Sequence, residues 1–425
     1  MTRVTRTEHI WLTPTNSLSH MCHLSKNLYN EANYAIKQSL KAQGTWIRYT
    51  QLYHQLKLST NYQQLPAQTG QQILRLLDSA WNSFFKAIKE WKRHPEKFKK
   101  KPRPPKYKKK NGEHLLVFTN QQCRIKNNVL LFPKKLNFAC DITTRLADTT
   151  DLREVRILPK GVGYACEIVY QKVIAPKAPD KRRIAGIDLG VSNIITMVNN
   201  IGKKPIVVKD DGRGIKSINQ FYQKEKARLQ SIYDRQEIQD GTKMKKLRVT
   251  YDRKSKDYLH KLSRSLINWC VQHRIGKLVI GYNPEWKQQV DLGKWNNQTF
   301  VLIPYMKLIN MIQYKTEEQG IAVELVEESH TSKCSFLDNE TIEHHEQYLG
   351  KRVRRGLFRS AQGLLINADV NGACNIVRKS EPNAFTQLKA DGVGGCFMGL
   401  HPVRWNLLMN DDITRSHLNH MAQIA

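Results

Sequence analysis

The chain has 425 residues, of which 69 are Lys or Arg and 37 are Asp or Glu, so its formal net charge is +32. A surplus of this size repels itself unless a polyanion neutralises it, which indicates a nucleic-acid partner and argues against a small-molecule substrate. No apolar run approaches the ~18 residues of a membrane-spanning helix, and the start lacks a signal peptide's apolar core. We therefore expect a cytoplasmic protein without a membrane partner.

The first hundred residues are predicted to be mostly helical after a short strand at 8–14. A helical stretch begins near Leu24, and a clearer helix follows Pro66 with the apolar residues Ile73, Leu76 and Trp81 at helical spacing, which predicts a core-facing stripe. The opposite face carries hydrogen-bonding side chains that suit base edges or phosphates, although plain solvation is the more common explanation of a polar helix face. These candidates are Gln68, Gln71 and Arg75.

Residues 86–110 are the most basic part of the chain, with thirteen Lys or Arg and two Glu. Four prolines prevent a single helix here, so we expect a basic arm. Blocks of like charge are seldom kept without a partner, and the arm therefore favours phosphate binding. The candidates are Lys99, Lys100, Lys101 and Arg103.

The segment 114–174 changes to short alternating runs separated by turn signals, which predicts an all-β module such as a small barrel. Thr119 and Asn120 in its first run are candidate contacts to DNA bases. An α/β region follows, with a buried strand before Asp188, charged helices at 215–275 that include the candidate phosphate contact His260, and a strand–helix–strand unit that implies a parallel pair.

Acidic residues stand at strand ends or turns of this α/β region. Asp188 interrupts an apolar strand, Glu327 and Glu328 end another, and Asp369 opens a helix. Carboxyl ends of strands are where open α/β sheets form sites, and converging carboxylates there can hold two Mg²⁺ ions for phosphodiester hydrolysis. Taken singly, each acid has a structural explanation, such as a helix N-cap for Asp369.

Four blocks occur in a fixed order, GIDLGVSNIITM, KDYLHKLSRSL, EESHTSKC and NADVNGACNI, and together they resemble the TnpB (OrfB) proteins of bacterial insertion sequences, relatives of the type V CRISPR effectors. The resemblance implies an RNA-guided DNA endonuclease whose RuvC-type core cuts double-stranded DNA next to a short motif. It also implies a guide RNA from the transposon end as partner, and two Mg²⁺ ions held by Asp188, Asp369 and a glutamate.

The chain departs from the family at that glutamate. The family usually has it right after the strand equivalent to KLVIGY, and this chain has Gly281 at that position. Glu328 is the first candidate to replace it, Glu285 and Glu327 are two others, and a dead site is the remaining alternative. A dead site would make the protein a guided DNA-binding repressor. A third hypothesis is an accessory transposase, but the sequence has no motif for a strand-transfer nucleophile.

The chain also departs from the family's zinc ribbon, which normally holds two C-x-x-C pairs. Between Thr331 and Asp369 it keeps Cys334 alone, with Asp338, His344 and His345 nearby, so we expect a degenerate ribbon without zinc. A basic loop in the same insert suits a phosphate backbone. Its candidates are Lys351, Arg352, Arg354 and Arg355.

The expected fold is α/β plus a β-barrel and a helical bundle. It comprises a RuvC (RNase-H-like) nuclease domain with a degenerate zinc-ribbon insert, and an N-terminal oligonucleotide-binding-like β module with inserted recognition helices. The expected domains are the β module at 1–20 and 112–178, the recognition helices with the arm at 21–111, the nuclease domain at 179–328 and 366–380, the insert at 329–365, and a tail with little order at 381–425.

Overall fold

The computed structural model describes residues 2–133, 142–175, 178–209, 214–239, 241–283, 302–386 and 402–405. By its internal contacts the chain divides into two compact units, one of residues 3–174 and one that begins at residue 175. The finer division into five domains stays a prediction.

The N-terminal unit begins with a strand followed by helices. The elements are β1 (Thr2–Leu12), α1 (Asn16–Gln43), α2 (Tyr49–Leu56), α3 (Thr60–Gln63) and α4 (Ala67–Arg93). Helix α1 begins at Asn16 because the Thr15 hydroxyl accepts a hydrogen bond from the backbone N–H of Leu18. It therefore starts before residue 24, and the boundary expected at residue 20 falls inside it.

The apolar stripe of α4 forms much of the core of this unit. Ile73 and Trp81 are buried as predicted, and Leu74 and Leu77 are fully buried as well, whereas Leu76 is 41% exposed. The buried set follows the i, i+4 spacing of one helix face, and Leu76 lies beside that face.

The strands of this unit form two sheets. The elements are β2 (Leu116–Thr119), β3 (Arg124–Lys126), β4 (Val129–Leu131), β5 (Ile142–Thr143), β6 (Asp151–Pro159) and β7 (Tyr164–Ile174). One sheet has the order β1-β7-β6-β2, and a smaller one has the order β3-β4-β5. No hydrogen-bonded ladder joins the two sheets within the described residues, so a closed barrel stays a prediction.

The C-terminal unit is built on a mixed sheet. Its strands are β8 (Asp180–Asp188), β9 (Asn193–Asn199), β10 (Ile206–Lys209), β11 (Ile275–Tyr282) and β12 (Ala322–Glu327). Strands β8, β9 and β10 pair antiparallel, and β11 and β12 then add in parallel on the other side of β8. The resulting order, with the first strand central, is that of an RNase-H-like fold and fits the predicted RuvC-type core.

Helices pack on both faces of this sheet. They are α5 (Ile215–Arg235), α6 (Thr242–Gln272), α7 (Tyr305–Glu317) and α8 (Ala368–Ser380). Helix α8 approaches β8 so closely that a Cβ atom at Gly186 would collide with the Val377 side chain. Nearer the start of α8, a Cβ atom at Gly372 would lie 3.0 Å from Asp188 Oδ2, so this part of the helix lies against the carboxyl end of β8.

The predicted ribbon insert contains a small antiparallel sheet. Its strands are β13 (Lys351–Arg354), β14 (Leu357–Arg359) and β15 (Leu365–Asn367), and β15 leads directly into α8. Cys334 is fully buried, and its thiol donates to the backbone oxygen of Glu343 at 3.6 Å. The expectation that the insert holds no zinc stays a prediction.

The described residues that follow α8 are more ordered than their composition predicts. Phe385 is buried against Phe336, with ring centroids 5.2 Å apart. Further on, β16 (Val403–Arg404) pairs in parallel with β10. The prediction of little order from residue 381 is therefore wrong for these residues. Residues 387–401 and 406–425 lie outside the described part.

A search of the helices in the described part of the chain finds none with the length and apolar character to span a bilayer.

Candidate functional site

Asp188 lies at the carboxyl end of β8, where three parallel strands end at one edge of the sheet. Ile187 pairs with Ile280 of β11, so Gly281 comes next to Asp188, and Gly281 pairs with Val326 of β12. The apolar runs of β8 and β11 are buried and end together, and the partly exposed β12 continues the same register. The polar residues after those runs therefore meet at one edge.

The Asp188 carboxyl has a strongly perturbed environment. Burial raises its pKa well above the usual range, and the negative charges of Glu328 and Asp369 raise it further, whereas the positive charge of Arg352 opposes them. Negative charges that raise the pKa of Asp188 must lie close to it. The other two predicted acids are therefore its neighbours.

Glu328 directly follows β12, and its side chain turns toward Gly281. A Cβ atom at Gly281 would lie 2.5 Å from Glu328 Oε1 and 2.8 Å from its Cγ atom. Real Cβ atoms do not approach other atoms this closely, so Glu328 occupies the space that any side chain at position 281 would need. Its Oε1 atom is buried there.

The other two candidate glutamates differ from Glu328 in placement. Glu327 is exposed on β12, and its backbone oxygen accepts a hydrogen bond of 2.9 Å from Lys379 Nζ. Strand alternation turns its side chain away from that of Glu328. Glu285 lies outside the described residues.

Asp369 is in the first turn of α8 and is held there by neighbouring amides. The N-cap of the helix is Asn367, whose side-chain oxygen accepts from the backbone N–H of Asp369 at 3.0 Å. The Asp369 carboxylate is therefore free of the capping role that its position suggested. Its Oδ2 atom accepts a hydrogen bond of 2.6 Å from Asn193 Nδ2. One turn later, a Cβ atom at Gly372 would lie 3.0 Å from Asp188 Oδ2.

The three carboxylates suit a hard divalent cation by their chemistry, because oxygen ligands are what Mg²⁺ prefers. Their mutual repulsion is also the cost that a bound cation would relieve. No set of three or more His, Cys, Asp or Glu side chains in the described part of the chain is gathered closely enough to hold a metal ion. The donor set therefore fits Mg²⁺, whereas a preformed ligand shell is not present among these side chains.

A cavity of about 540 Å³ opens beside Asp369. Three arginines contribute to its wall, two from the β13–β14 hairpin and one from β16, and Arg355 donates a hydrogen bond to the Ser192 hydroxyl. The lining residues are Ser192, Asn193, Val207, Arg352, Arg355, Gly356, Asn367, Asp369, Pro402 and Arg404. Of the predicted loop residues, Lys351 and Arg354 are exposed on β13 and are not part of this lining.

The predicted base-contacting residues of the N-terminal unit come from two elements that meet. The Thr119 hydroxyl at the end of β2 donates to Gln68 Oε1 at the start of α4, and Gln68 Nε2 donates to Gln121 Oε1 at 2.8 Å. Asn120 is exposed beside them. Arg75 is exposed further along α4, where its guanidinium lies 4.7 Å from the centroid of the Tyr49 ring.

The remaining predicted contacts lie elsewhere. Gln71 on α4 is half-buried, and Lys99, Lys100, Lys101 and Arg103 of the arm are all exposed. His260 is half-buried between α6 and α7, where its backbone oxygen accepts from Lys315 Nζ at 2.9 Å. Burial lowers the pKa of that lysine to about 8, and the charge of Arg264 adds to the effect. His260 therefore lies in helix packing and not in the cavity wall.

Sequence reasoning missed several residues of the site. Asn193 and Gly372 are visible as polar or small residues within the family-like blocks, but nothing in the sequence says that they contact Asp369 and Asp188. Arg404 lies in a segment without periodicity, and no sequence signal could have found it.

Comparison with known proteins gives concordant matches. Residues 165–287 match the OrfB_IS605 family model, described as a probable transposase, and residues 305–376 match the Cas12f1-like TNB domain. The TnpB-like protein ORF457 of Acidianus two-tailed virus is 27% identical over 414 residues, covering 85% of this chain and 83% of that protein.

The chain is also similar to a second TnpB-like protein and to one solved structure. The TnpB-like protein MJ0751 of Methanocaldococcus jannaschii is 25% identical over 224 residues, covering 50% of this chain and 74% of that protein. A Cas12f1 structure solved as a complex with sgRNA and target DNA has a TM-score of 0.48 at 13% identity, covering 88% of this chain and 98% of that one. By its sequence matches the chain is similar to TnpB proteins, and over residues 305–376 it is similar to the Cas12f1-like effectors.

Proposed function

We propose that the protein is an RNA-guided DNA endonuclease that cuts double-stranded DNA next to a short motif, with a guide RNA transcribed from the transposon end. The observation that carries the proposal is the fit of Glu328 into the space left by Gly281. Gly281 on β11 has no carboxylate to offer at the sheet edge. Glu328, which follows the neighbouring strand β12, places its carboxylate in the same space. An edge that keeps three carboxylates favours a working nuclease over a dead one.

The proposed catalytic residues are Asp188, Glu328 and Asp369, which would hold two Mg²⁺ ions. Bound there, the ions would supply activation of a water molecule and stabilisation of the leaving oxygen. Asn193 positions the Asp369 carboxylate through its 2.6 Å hydrogen bond. Gly281 and Gly372 leave room for the carboxylates of Glu328 and Asp188.

The arginines of the cavity are the proposed contacts to the DNA strand being cut. Arg352 and Arg355 from the hairpin and Arg404 from β16 line the space beside Asp369. One guanidinium group can bind two phosphate oxygens at once. Three arginines beside an acidic site would therefore hold a phosphodiester that the carboxylates alone would repel. Lys351 and Arg354 would extend this contact along the strand.

Recognition of RNA and of the guide–target heteroduplex is assigned to the basic N-terminal unit. Backbone shape and charge suffice for this role when sequence is left to base pairing. The exposed arm lysines and Arg103 are the proposed backbone contacts of this unit, and His260 on α6 is a proposed backbone contact of the C-terminal unit. Gln68, Gln71, Arg75, Thr119 and Asn120 are the proposed readers of the adjacent motif.

The test uses the protein purified with its co-expressed RNA, mixed with matched or unmatched duplex DNA and Mg²⁺. We expect cleavage of the matched DNA by the wild type. Glu328→Gln should cut at least about 100-fold more slowly, since even an outer-shell partner of a metal costs 10- to 100-fold, and should still bind the target. Glu327→Gln is the matched control and should cut normally.

The competing function is a guided repressor that binds DNA without cutting it, which the loss of the usual acid at Gly281 favours. Sequence-dependent binding without any cleavage by the wild type would establish that function and overturn the nuclease. Full cleavage by Glu328→Gln would instead overturn the assignment of this glutamate.

A further inference from the structure

The second half of the arm of residues 98–110 lies against helix α1, which contacts its backbone at residues 105, 108 and 110. The arm carries eight Lys or Arg and no acidic residue, and each of these basic residues is exposed. An untethered segment with this charge density would spread and sample many conformations, because neighbouring like charges repel. Here the backbone of the arm is fastened to a neighbouring helix.

Three polar side chains of α1 provide the fastening. Asn30 bonds Lys108 twice, donating from Nδ2 to its backbone oxygen at 3.0 Å and accepting from its backbone N–H at 2.8 Å. Asn33 Nδ2 donates to the backbone oxygen of Pro105 at 3.2 Å, and Lys26 Nζ donates to that of Lys110 at 2.7 Å. The spacing of 26, 30 and 33 puts all three on one face of the helix, and we call them the polar stripe.

The polar stripe is itself fixed by the core. Asn33 is fully buried, and its side-chain oxygen accepts from Trp81 Nε1 at 3.0 Å, which ties the stripe to α4. Lys26 is 5% exposed, and burial lowers its pKa. A buried lysine whose ammonium bonds a backbone oxygen is committed to holding the arm and is not available to a ligand.

We propose that Lys26, Asn30 and Asn33 are positioning residues that set the arm in advance for a nucleic-acid phosphodiester backbone. This inference rests on the proposed function, and it deepens that function by separating two contributions. The exposed cations supply the charge that attracts phosphates. The polar stripe lowers the ordering cost of binding, since a segment fixed beforehand loses less conformational freedom on association.

The two contributions differ in their response to salt. The slope of log K against log[salt] counts the phosphates that the protein neutralises, whereas preorganisation changes affinity without changing that count. Asn30→Ala removes two hydrogen bonds and no charge. We expect it to weaken binding roughly 5- to 20-fold at every salt concentration and to leave the slope unchanged.

The measurement is a fluorescence titration of the full-length protein with an RNA duplex and a DNA duplex of ~20 base pairs, between about 50 and 200 mM salt. The two probes distinguish RNA from DNA as the source of the phosphates. Lys109→Ala, which removes one exposed charge, should lower the slope by ~0.7 to 0.9. Asn61→Ala, which removes a 2.9 Å bond to Glu31 away from the arm, should leave both affinity and slope unchanged.

A second readout needs no nucleic acid. Trypsin should cut the arm faster in Asn30→Ala than in the wild type, while the thermal midpoint stays the same. Wild-type affinity of Asn30→Ala would overturn the inference, and a reduced salt slope in that variant would also overturn it. Neither outcome would affect the proposed function. A wild type that binds neither probe would overturn both.

Discussion

At the scale of single residues, Gly281 and Glu328 form a complementary pair. A Cβ atom at position 281 would lie 2.5 Å from both Glu328 Oε1 and Ile376 Cδ1. A side chain at position 281 would therefore require both the Glu328 carboxylate and the Ile376 side chain to move.

This complementarity gives the first prediction. Gly281→Glu should cut target DNA at least about 10-fold more slowly than the wild type, because the new side chain displaces Glu328. The double variant Gly281→Glu/Glu328→Ala should recover part of the lost rate, since one carboxylate again fills the space. Single-turnover cleavage measures both, with target binding as the control. A double variant as slow as Glu328→Gln would contradict the pairing.

A second prediction at this scale concerns the charge of Asp188. Its raised pKa means that the folded protein holds the proton more tightly than the unfolded chain. Ionisation therefore destabilises the fold, and this destabilisation grows as pH rises above the unfolded value of ~3.9. In EDTA near neutral pH, we expect Asp188→Asn to raise the thermal midpoint by about 2 to 4 °C.

The direction of the change in thermal midpoint can be checked at low pH and with added Mg²⁺. The advantage of Asp188→Asn should vanish near pH 3, where the wild-type carboxyl is also protonated. Added Mg²⁺ should stabilise the wild type and leave the variant unchanged. Scanning calorimetry at several pH values follows all three effects, and a variant less stable than the wild type in EDTA would refute the argument.

The positions of Asp188, Glu328 and Asp369 could be predicted because each stands at a strand end or a turn, where burial without a partner is costly. The contact between residues 281 and 328 could not, because it joins side chains on different strands whose register depends on the packing of the whole sheet. The hydrogen bond from Asn193 to Asp369 was out of reach for the same reason.

At the scale of elements, β16 connects a remote part of the chain to the cavity. The backbone N–H groups of Val403 and Trp405 donate to Pro205 and Val207, both at 2.9 Å. This pairing adds β16 to the free side of β10 and brings Arg404 to the cavity wall.

The third prediction follows from this placement. Arg404→Ala should slow cleavage about 10-fold and leave target binding unchanged, because it removes one charged contact to the phosphodiester in the cavity. Arg404→Lys should keep part of the rate, since the charge remains without the bidentate geometry. A chain that ends at residue 401 should behave like Arg404→Ala.

The control for this series is Arg354→Ala, because Arg354 is exposed on β13 outside the cavity lining. We expect a smaller loss of rate for that variant than for Arg404→Ala. Equal rates for Arg404→Ala and the wild type would show that β16 has no part in cleavage.

A strand of two residues, such as β16, has no hydrophobic period. Its existence could therefore not be predicted from a Gly-rich segment.

Helix α4 shows the opposite case at the same scale. Its long apolar stripe predicted a buried helix correctly, because many turns of regular spacing leave little ambiguity. The exposure of Leu76 and burial of Leu74 show the limit of such reasoning: the spacing defines a face, and neighbouring helices decide which residues at its border are covered.

At the scale of the whole molecule, the net charge of +32 governs behaviour without a partner. The surplus is concentrated on exposed segments, the arm of residues 98–110 and the hairpin that carries Lys351 and Arg352 among them. Self-repulsion of this kind opposes compaction, and bound RNA removes it by neutralising the charges. Stability and solubility should therefore depend on RNA and on salt together.

The fourth prediction is that the protein purifies with RNA and loses solubility when nuclease removes it at physiological salt. Raising the salt should restore solubility, because a Debye length of ~3 Å at 1 M screens the charges that RNA otherwise neutralises. Absorbance ratios and sedimentation before and after nuclease treatment measure both effects. A monodisperse RNA-free protein at physiological salt would mean that the folded chain tolerates its own charge, and the surplus would then serve encounter with DNA rather than a permanently bound RNA.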